Sequence, residues 1–156
     1  MIRFLMSYGD GRSSFPNMKT VMIFGTFDIL HVGHLDLFKQ AKKLGERLIV
    51  VVARDLNVKK VKKNGAINDE KERLELLQHV NLVDTAVLGG TKDVYRVIKQ
   101  NKPDVIALGY DQKEFTDKLE SKLKEFKFTT KIVRLKPYKA GTKKSGTIKS
   151  LLLKSL

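Results

Sequence analysis

The sequence of 156 residues predicts an α/β protein, a doubly wound parallel sheet of roughly five strands with helices on both faces. Three observations carry this. Short apolar runs recur as "TVMIF", "RLIVVVA", "TAVLG", "DVIALG" and "KIVRL". They are continuous rather than alternating, as strands buried on both faces are. Between them lie segments with helical periodicity, and strands alternating with helices favour parallel pairing.

In chain order, residues 1–17 read as an irregular N-terminal extension, with "YGDGRSSFPN" rich in Gly, Ser and Pro. Residues 18–156 read as a single domain that opens on "MKTVMIFG". Residues 31–44 place Leu35, Phe38, Ala41 and Leu44 at helical spacing, and Gly45 stands where a C-cap belongs. After "RLIVVVA", the stretch "RDLNVKKVKKNGAIN" reads as a polar, lysine-rich loop. Asp69 and Glu72 have capping-box spacing at the start of a helix that turns Leu74, Leu77 and Val80 inward. "TAVLG" follows, then a short helix over 93–100, a turn at Pro103, and "DVIALG". Residues 116–126 are amphipathic, "KIVRL" closes the sheet, and residues 145–153 form a terminal helix.

Apolar residues are 42% and charged residues 31% of the chain, which fits a globular protein with a sizeable core. No apolar run has the roughly 20 residues a membrane helix needs. The apolar stretch over 1–6 is too short and broken for a signal peptide, so the expected location is cytoplasmic and no membrane partner is expected. The absence of cysteine excludes disulfides, thiolate metal sites and cysteine catalysis. The formal charge is +14, and no Asp or Glu follows Glu125. Such a field favours anionic partners. Most of these lysines read as solvated surface, and a few as phosphate ligands.

In open parallel sheets ligands sit beyond the carboxyl ends of the strands. After the first run comes "GTFDILHVGH". Gly25 allows a tight turn. The free N–H groups and positive dipole end of the next helix then face the cleft, an anion site. His31 and His34 are three residues apart, and such positions are neighbours on a helix face. They can offer two N–H donors to one phosphate, and Gly33 between them leaves room for a bulky ligand. A zinc pair would need a third ligand, and none suggests itself, so no metal site is expected. His79 lies on another helix and reads as structural.

"GTFDILHVGH" resembles the G-T-F-D-x-x-H-x-G-H signature of the cytidylyltransferase-like nucleotidyltransferases, a superfamily with a Rossmann-like fold. The resemblance continues through "RLIVVVARD", "DEKERLELLQHVNLVDTAVLG", "PDVIALGYDQ" and "SGTIKSLL", in order along the chain after Met18. "ARD" and "LGYDQ" look most like archaeal-type FAD synthases. Glycerol-3-phosphate cytidylyltransferases differ at the first tripeptide and carry arginines before the last motif, where this chain has "KPYKAGTKKSGT".

The resemblance implies residue roles. His31 and His34 would hold the nucleoside triphosphate and stabilise the transition state, with Lys60 and Arg73 as further catalytic cations. Gly25, Thr26, Phe27 and Gly33 would line the nucleotide loop. Asp111 would lie near the ribose or base, and Ser145 and Thr147 near the outer phosphates, with Gly146 where relatives usually have Thr. Asp55 and Lys62 would face the acceptor. Asp28 would either contact the ligand or brace the loop.

The implied reaction is attack of an acceptor phosphate on the α-phosphorus of ATP or CTP, with release of pyrophosphate and no covalent intermediate. The first expectation is FMN plus ATP giving FAD, and the second a cytidylyltransferase acting on glycerol 3-phosphate or another small phospho-alcohol. Mg²⁺ would ride on the triphosphate. Relatives are often dimers, so a second copy is an expected partner. A third reading, a basic nucleic-acid-binding protein without catalysis, leaves the histidine pair without a use, so nucleic acid is not an expected partner.

Overall fold

The computed structural model describes residues 18–139 and 145–155. The segment 1–17 therefore lies outside the described residues. A five-stranded sheet runs in the order β3-β2-β1-β4-β5. Its strands are β1 Thr20–Gly25, β2 Arg47–Val52, β3 Thr85–Leu88, β4 Val105–Leu108 and β5 Lys131–Arg134, and every pairing is parallel. The helices are α1 Val32–Lys42, α2 Asp55–Val61, α3 Glu70–Gln78, α4 Arg96–Asn101, α5 Leu119–Glu125 and α6 Ser145–Lys154.

Strand periodicity divides the apolar side chains between two cores. Val21, Ile23, Leu48, Val50, Val105 and Ala107 face Phe38 and Ala41 of α1 and Leu77 of α3. Met22, Ile49, Val51, Ile106 and Leu108 face Val97 and Ile98 of α4 and Leu119 and Leu123 of α5. Helices on both faces follow directly, as the continuous apolar runs predicted. Asp84 and Asp104 stand one residue ahead of β3 and β4. Their carboxylates accept the amides of Leu48 and Thr20 at 2.7 Å each and so tie the entry edge of the sheet.

The strand order reverses between β1 and β4, its neighbour on the far side from β2. That switch point, at the carboxyl ends of these strands, is where such folds open a ligand crevice. The loops after β1 and β4 both emerge there.

Three local expectations are corrected. The lysine-rich stretch after β2 is not a loop throughout, since Asp55–Val61 is helical with Val58 buried. Lysine is a good helix former, and an acid in the first turn with lysines in the last suits the helix dipole. The helix predicted over 93–100 begins at Arg96 and ends at Asn101. Gly45 is not a helix cap: α1 closes at Lys43, whose φ of −70° is right-handed. A Cβ at Gly45 would lie 2.5 Å from the Lys19 carbonyl oxygen, which accepts the amides of Glu46 and Arg47. The glycine lets β1 and β2 meet at their entry edge. The capping box at α3 is present in full, with Asp69 accepting from Lys71 and Glu72 and Glu72 accepting from Asp69.

Gly45→Ala is expected to lower the unfolding free energy by about 1–3 kcal/mol, because backbone must shift to admit the methyl group. Urea unfolding measures it, with an unchanged denaturant slope.

Candidate active site

The loop from β1 to α1 is shaped by three glycine- and aromatic-dependent contacts. Phe27 adopts a left-handed backbone, φ 52°, and its ring is buried in the core, edge-on to His34 at 5.3 Å and tilted against Phe38 at 5.5 Å. A Cβ on Gly25 would lie 2.7 Å from that ring, so Gly25 makes room for Phe27 to fold back. A Cβ on Gly33 would lie 2.8 Å from the His31 ring. Gly33 thus admits the His31 imidazole.

His31 is the N-cap of α1, not its first helical residue, with Nδ1 accepting the Gly33 amide at 3.1 Å. That bond places the His31 proton on Nε2. His34, in the first turn, stacks on His31 with ring centroids 3.9 Å apart. His34 Nδ1 is buried with no hydrogen-bond partner among the described residues. A proton there would be an orphan donor, so the favoured tautomer again carries it on Nε2. Burial lowers the pKa of His31. Burial, then the charges of His31 and Lys62, lower that of His34 to about 4. Both imidazoles are therefore neutral at pH 7, each with an Nε2–H donor.

Lys62, the C-cap of α2, is exposed and near enough for its charge to act on His34. Lys60 is exposed in the last turn of α2. Asp111 is exposed in the turn after β4. Thr147 is exposed in the first turn of α6, and the side chain of Ser145 lies outside the described residues.

Three ionic residues are engaged by the protein itself. Arg73 is fully buried. Its Nη1 donates to the Thr26 carbonyl at 2.7 Å, its Nε to the Asn68 carbonyl at 3.1 Å, and its Nη2 to Asp55 Oδ1 at 2.5 Å. It cannot reach a substrate without breaking these bonds, so it holds the signature loop in place. Asp55 Oδ1 is taken by Arg73, and Oδ2 accepts the Glu70 amide at 3.1 Å while Glu70 accepts the Asp55 amide at 2.8 Å. Asp55 thus links α2 to α3. Asp28, 2% exposed, accepts the amides of Ile67 and Asn68 at 2.9 and 2.8 Å and pairs with Lys149. Burial pushes its pKa up, but the Lys149 bond, the two amides and the Lys149 charge outweigh this and hold it below the ordinary value. Of the two roles left open for Asp28, this geometry is the bracing one.

Asn68, Glu70, Arg134 and Lys149 escaped the sequence reading. The Asn68 amide donates to the Asp28 carbonyl at 2.6 Å. Arg134, at the end of β5, donates from Nη1 to the carbonyls of Gly109 at 2.7 Å and Gln112 at 2.9 Å, pinning the loop that carries Asp111. These partners are distant in sequence, and no spacing rule pairs them.

A parallel α/β sheet with a donor pair at a helix head beyond its switch strand is a nucleotide-handling arrangement. A family model described as Cytidylyltransferase-like matches residues 22–149, and the chain belongs to that family. It is 41% identical over 138 residues to the FAD synthase of Thermoplasma volcanium, covering 87% of this chain and 95% of that one. It is 43% identical over 132 residues to the FAD synthase of Methanohalophilus mahii, covering 84% and 92%. A crystal structure described as the lipopolysaccharide core biosynthesis protein of Thermoplasma volcanium superposes with a TM-score of 0.72 at 44% identity, covering 78% of this chain and 99% of that one. No described helix is long and apolar enough to cross a membrane.

Two outcomes check this geometry. Arg73→Met is expected to cost about 3–5 kcal/mol in urea unfolding, since it strands Asp55 and two carbonyls. An arginine serving only substrate would leave stability unchanged. The His34 shift sets a pH dependence. The unfolded chain protonates His34 near pH 6.5 and the folded chain only near pH 4, so stability is full above the first value and falls as pH drops toward the second. His34→Gln should flatten that part of a stability-against-pH curve.

Proposed function

We infer that this protein is an FAD synthase, a nucleotidyltransferase that joins AMP from ATP to FMN and releases pyrophosphate. The observation that carries the chemistry is the stacked, neutral His31–His34 pair at the head of α1. The choice of FMN and ATP is supported by the identity to FAD synthases over most of both chains.

The FMN phosphate is ionised at neutral pH, so no strong general base is needed. One of its oxygens attacks the α-phosphorus in line, the bond to the β-phosphate oxygen breaks, and pyrophosphate departs with that electron pair. The Nε2–H groups of His31 and His34 donate to the phosphoryl oxygens on which charge builds. Such fixed donors stabilise the transition state without reorganising. Lys60 and Lys62 hold phosphate from α2, Asp111 meets the ribose or base, and the α6 head with Ser145 and Thr147 meets the outer phosphates. Thr26, Phe27 and the backbone around Gly33 line the same loop. Arg73, Asp55 and Asp28 position these groups.

Among the described residues no three His, Cys, Asp or Glu side chains converge as a metal cage would require. Asp28, in the histidine loop, and Asp55, which pairs with the Arg73 beneath it, already accept protein donors. The donor set thus suits Mg²⁺ that arrives on the triphosphate, where it neutralises phosphate charge.

The test is pyrophosphate release with ATP or CTP crossed against FMN or glycerol 3-phosphate. Product is expected from ATP with FMN, and His34→Ala should lower kcat about a hundred- to thousandfold with the fold intact. Turnover confined to CTP with glycerol 3-phosphate would overturn the substrate assignment.

A further inference from the structure

The amino end of α6 can serve the outer phosphates only if the helix is seated on the rest of the protein. Apolar packing does not explain the seating. No described residue of α6 belongs to either core, and Leu151, Leu152 and Leu153 are 50%, 55% and 73% exposed. One α6 side chain does reach inward. Lys149 pairs with the Asp28 carboxylate, with side chains 21% and 1% exposed. Asp28 sits in the β1–α1 loop three residues ahead of His31, and its other donors are the Ile67 and Asn68 amides. Position 149 lies one turn after position 145, on the same helix face.

We propose that Lys149 is a positioning residue for the nucleotide, its ion pair with Asp28 fixing the α6 head against the histidine loop so that both grip one triphosphate. This rests on the reading that α6 meets the outer phosphates. The ammonium completes the shell of a buried carboxylate through a charge-assisted bond, and removing one partner of such a pair leaves the other uncompensated. Removing the lysine frees α6 and leaves Asp28 a buried charge with amide partners alone. The first effect is local: α6, which neither core holds, opens before the sheet does, and triphosphate binding falls.

The experiment is ATP binding by calorimetry, with hydrogen exchange of the ligand-free protein, on wild type, Lys149→Met, Lys149→Arg and Lys154→Met. Lys154 is exposed near the end of the same helix and serves as the control. Lys149→Met should weaken ATP about tenfold and speed exchange across 147–154 far more than at the sheet amides. Lys149→Arg should restore most of the affinity, and Lys154→Met should match wild type. The double variant Asp28→Asn with Lys149→Met should bind ATP no worse than Asp28→Asn alone, because coupled partners are not additive. Additive losses would mean that Lys149 acts on the nucleotide directly, and wild-type affinity in Lys149→Met would end the proposal outright. Should Lys149→Met not fold, Lys149→Gln, which keeps a donor and loses the charge, takes its place. Neither readout uses FMN, so a wild type that binds ATP but makes no FAD would refute the acceptor assignment and leave this inference to be judged separately.

Discussion

The buried guanidinium of Arg73 is the constraint on which the site depends. It joins the Thr26 carbonyl of the histidine loop, the Asn68 carbonyl ahead of α3 and the Asp55 carboxylate of α2. A fully buried charge persists only when paired and hydrogen-bonded, so these segments are held in one arrangement. Asp28 supplies the opposite buried charge on the other side of Asn68, and Lys149 extends the chain of contacts to α6. The loop that carries the histidines is thereby fixed from beneath by ionic contacts and from the side by the Phe27 ring.

That rigidity has a chemical consequence. The protein is strongly cationic, with a formal charge of +14, yet the two imidazoles at its centre are neutral. Neither inward nitrogen is open to a ligand: His31 Nδ1 accepts an amide, and His34 Nδ1 is buried beside Phe27 and His31. The nitrogens left to face a ligand bear protons. They donate, and they have no lone pair with which to attack. Electrostatic stabilisation rather than nucleophilic catalysis is what this arrangement can deliver.

The strands and their parallel pairing were legible because continuous apolar runs need burial on both faces, a local property of the chain. The histidine pair was legible because three-residue spacing around a glycine has few structural uses. Arg73 was legible as a residue of interest, but its task was not, since its helix position says nothing of what lies beneath the helix. Asp55 was read outward, and Asp28 left between two roles, for a similar reason: a carboxylate at a loop end looks the same whether it meets a ligand or a backbone amide 15 or 40 residues away. α2 was missed because its lysines, good helix formers, also read as a solvated charge run. Lys149 and Arg134 had no signal at all, since their partners come together only in the folded sheet.

In the proposed reaction, transfer proceeds by one direct displacement between imidazoles that donate protons and never carry the nucleotide. The most direct measurement is the configuration at phosphorus after transfer from ATP bearing a chiral α-phosphorothioate to FMN. Inversion is expected, the outcome of a single in-line attack. Retention would contradict it, because it requires two displacements through a nucleotidyl-histidine, and hence an imidazole lone pair facing the substrate.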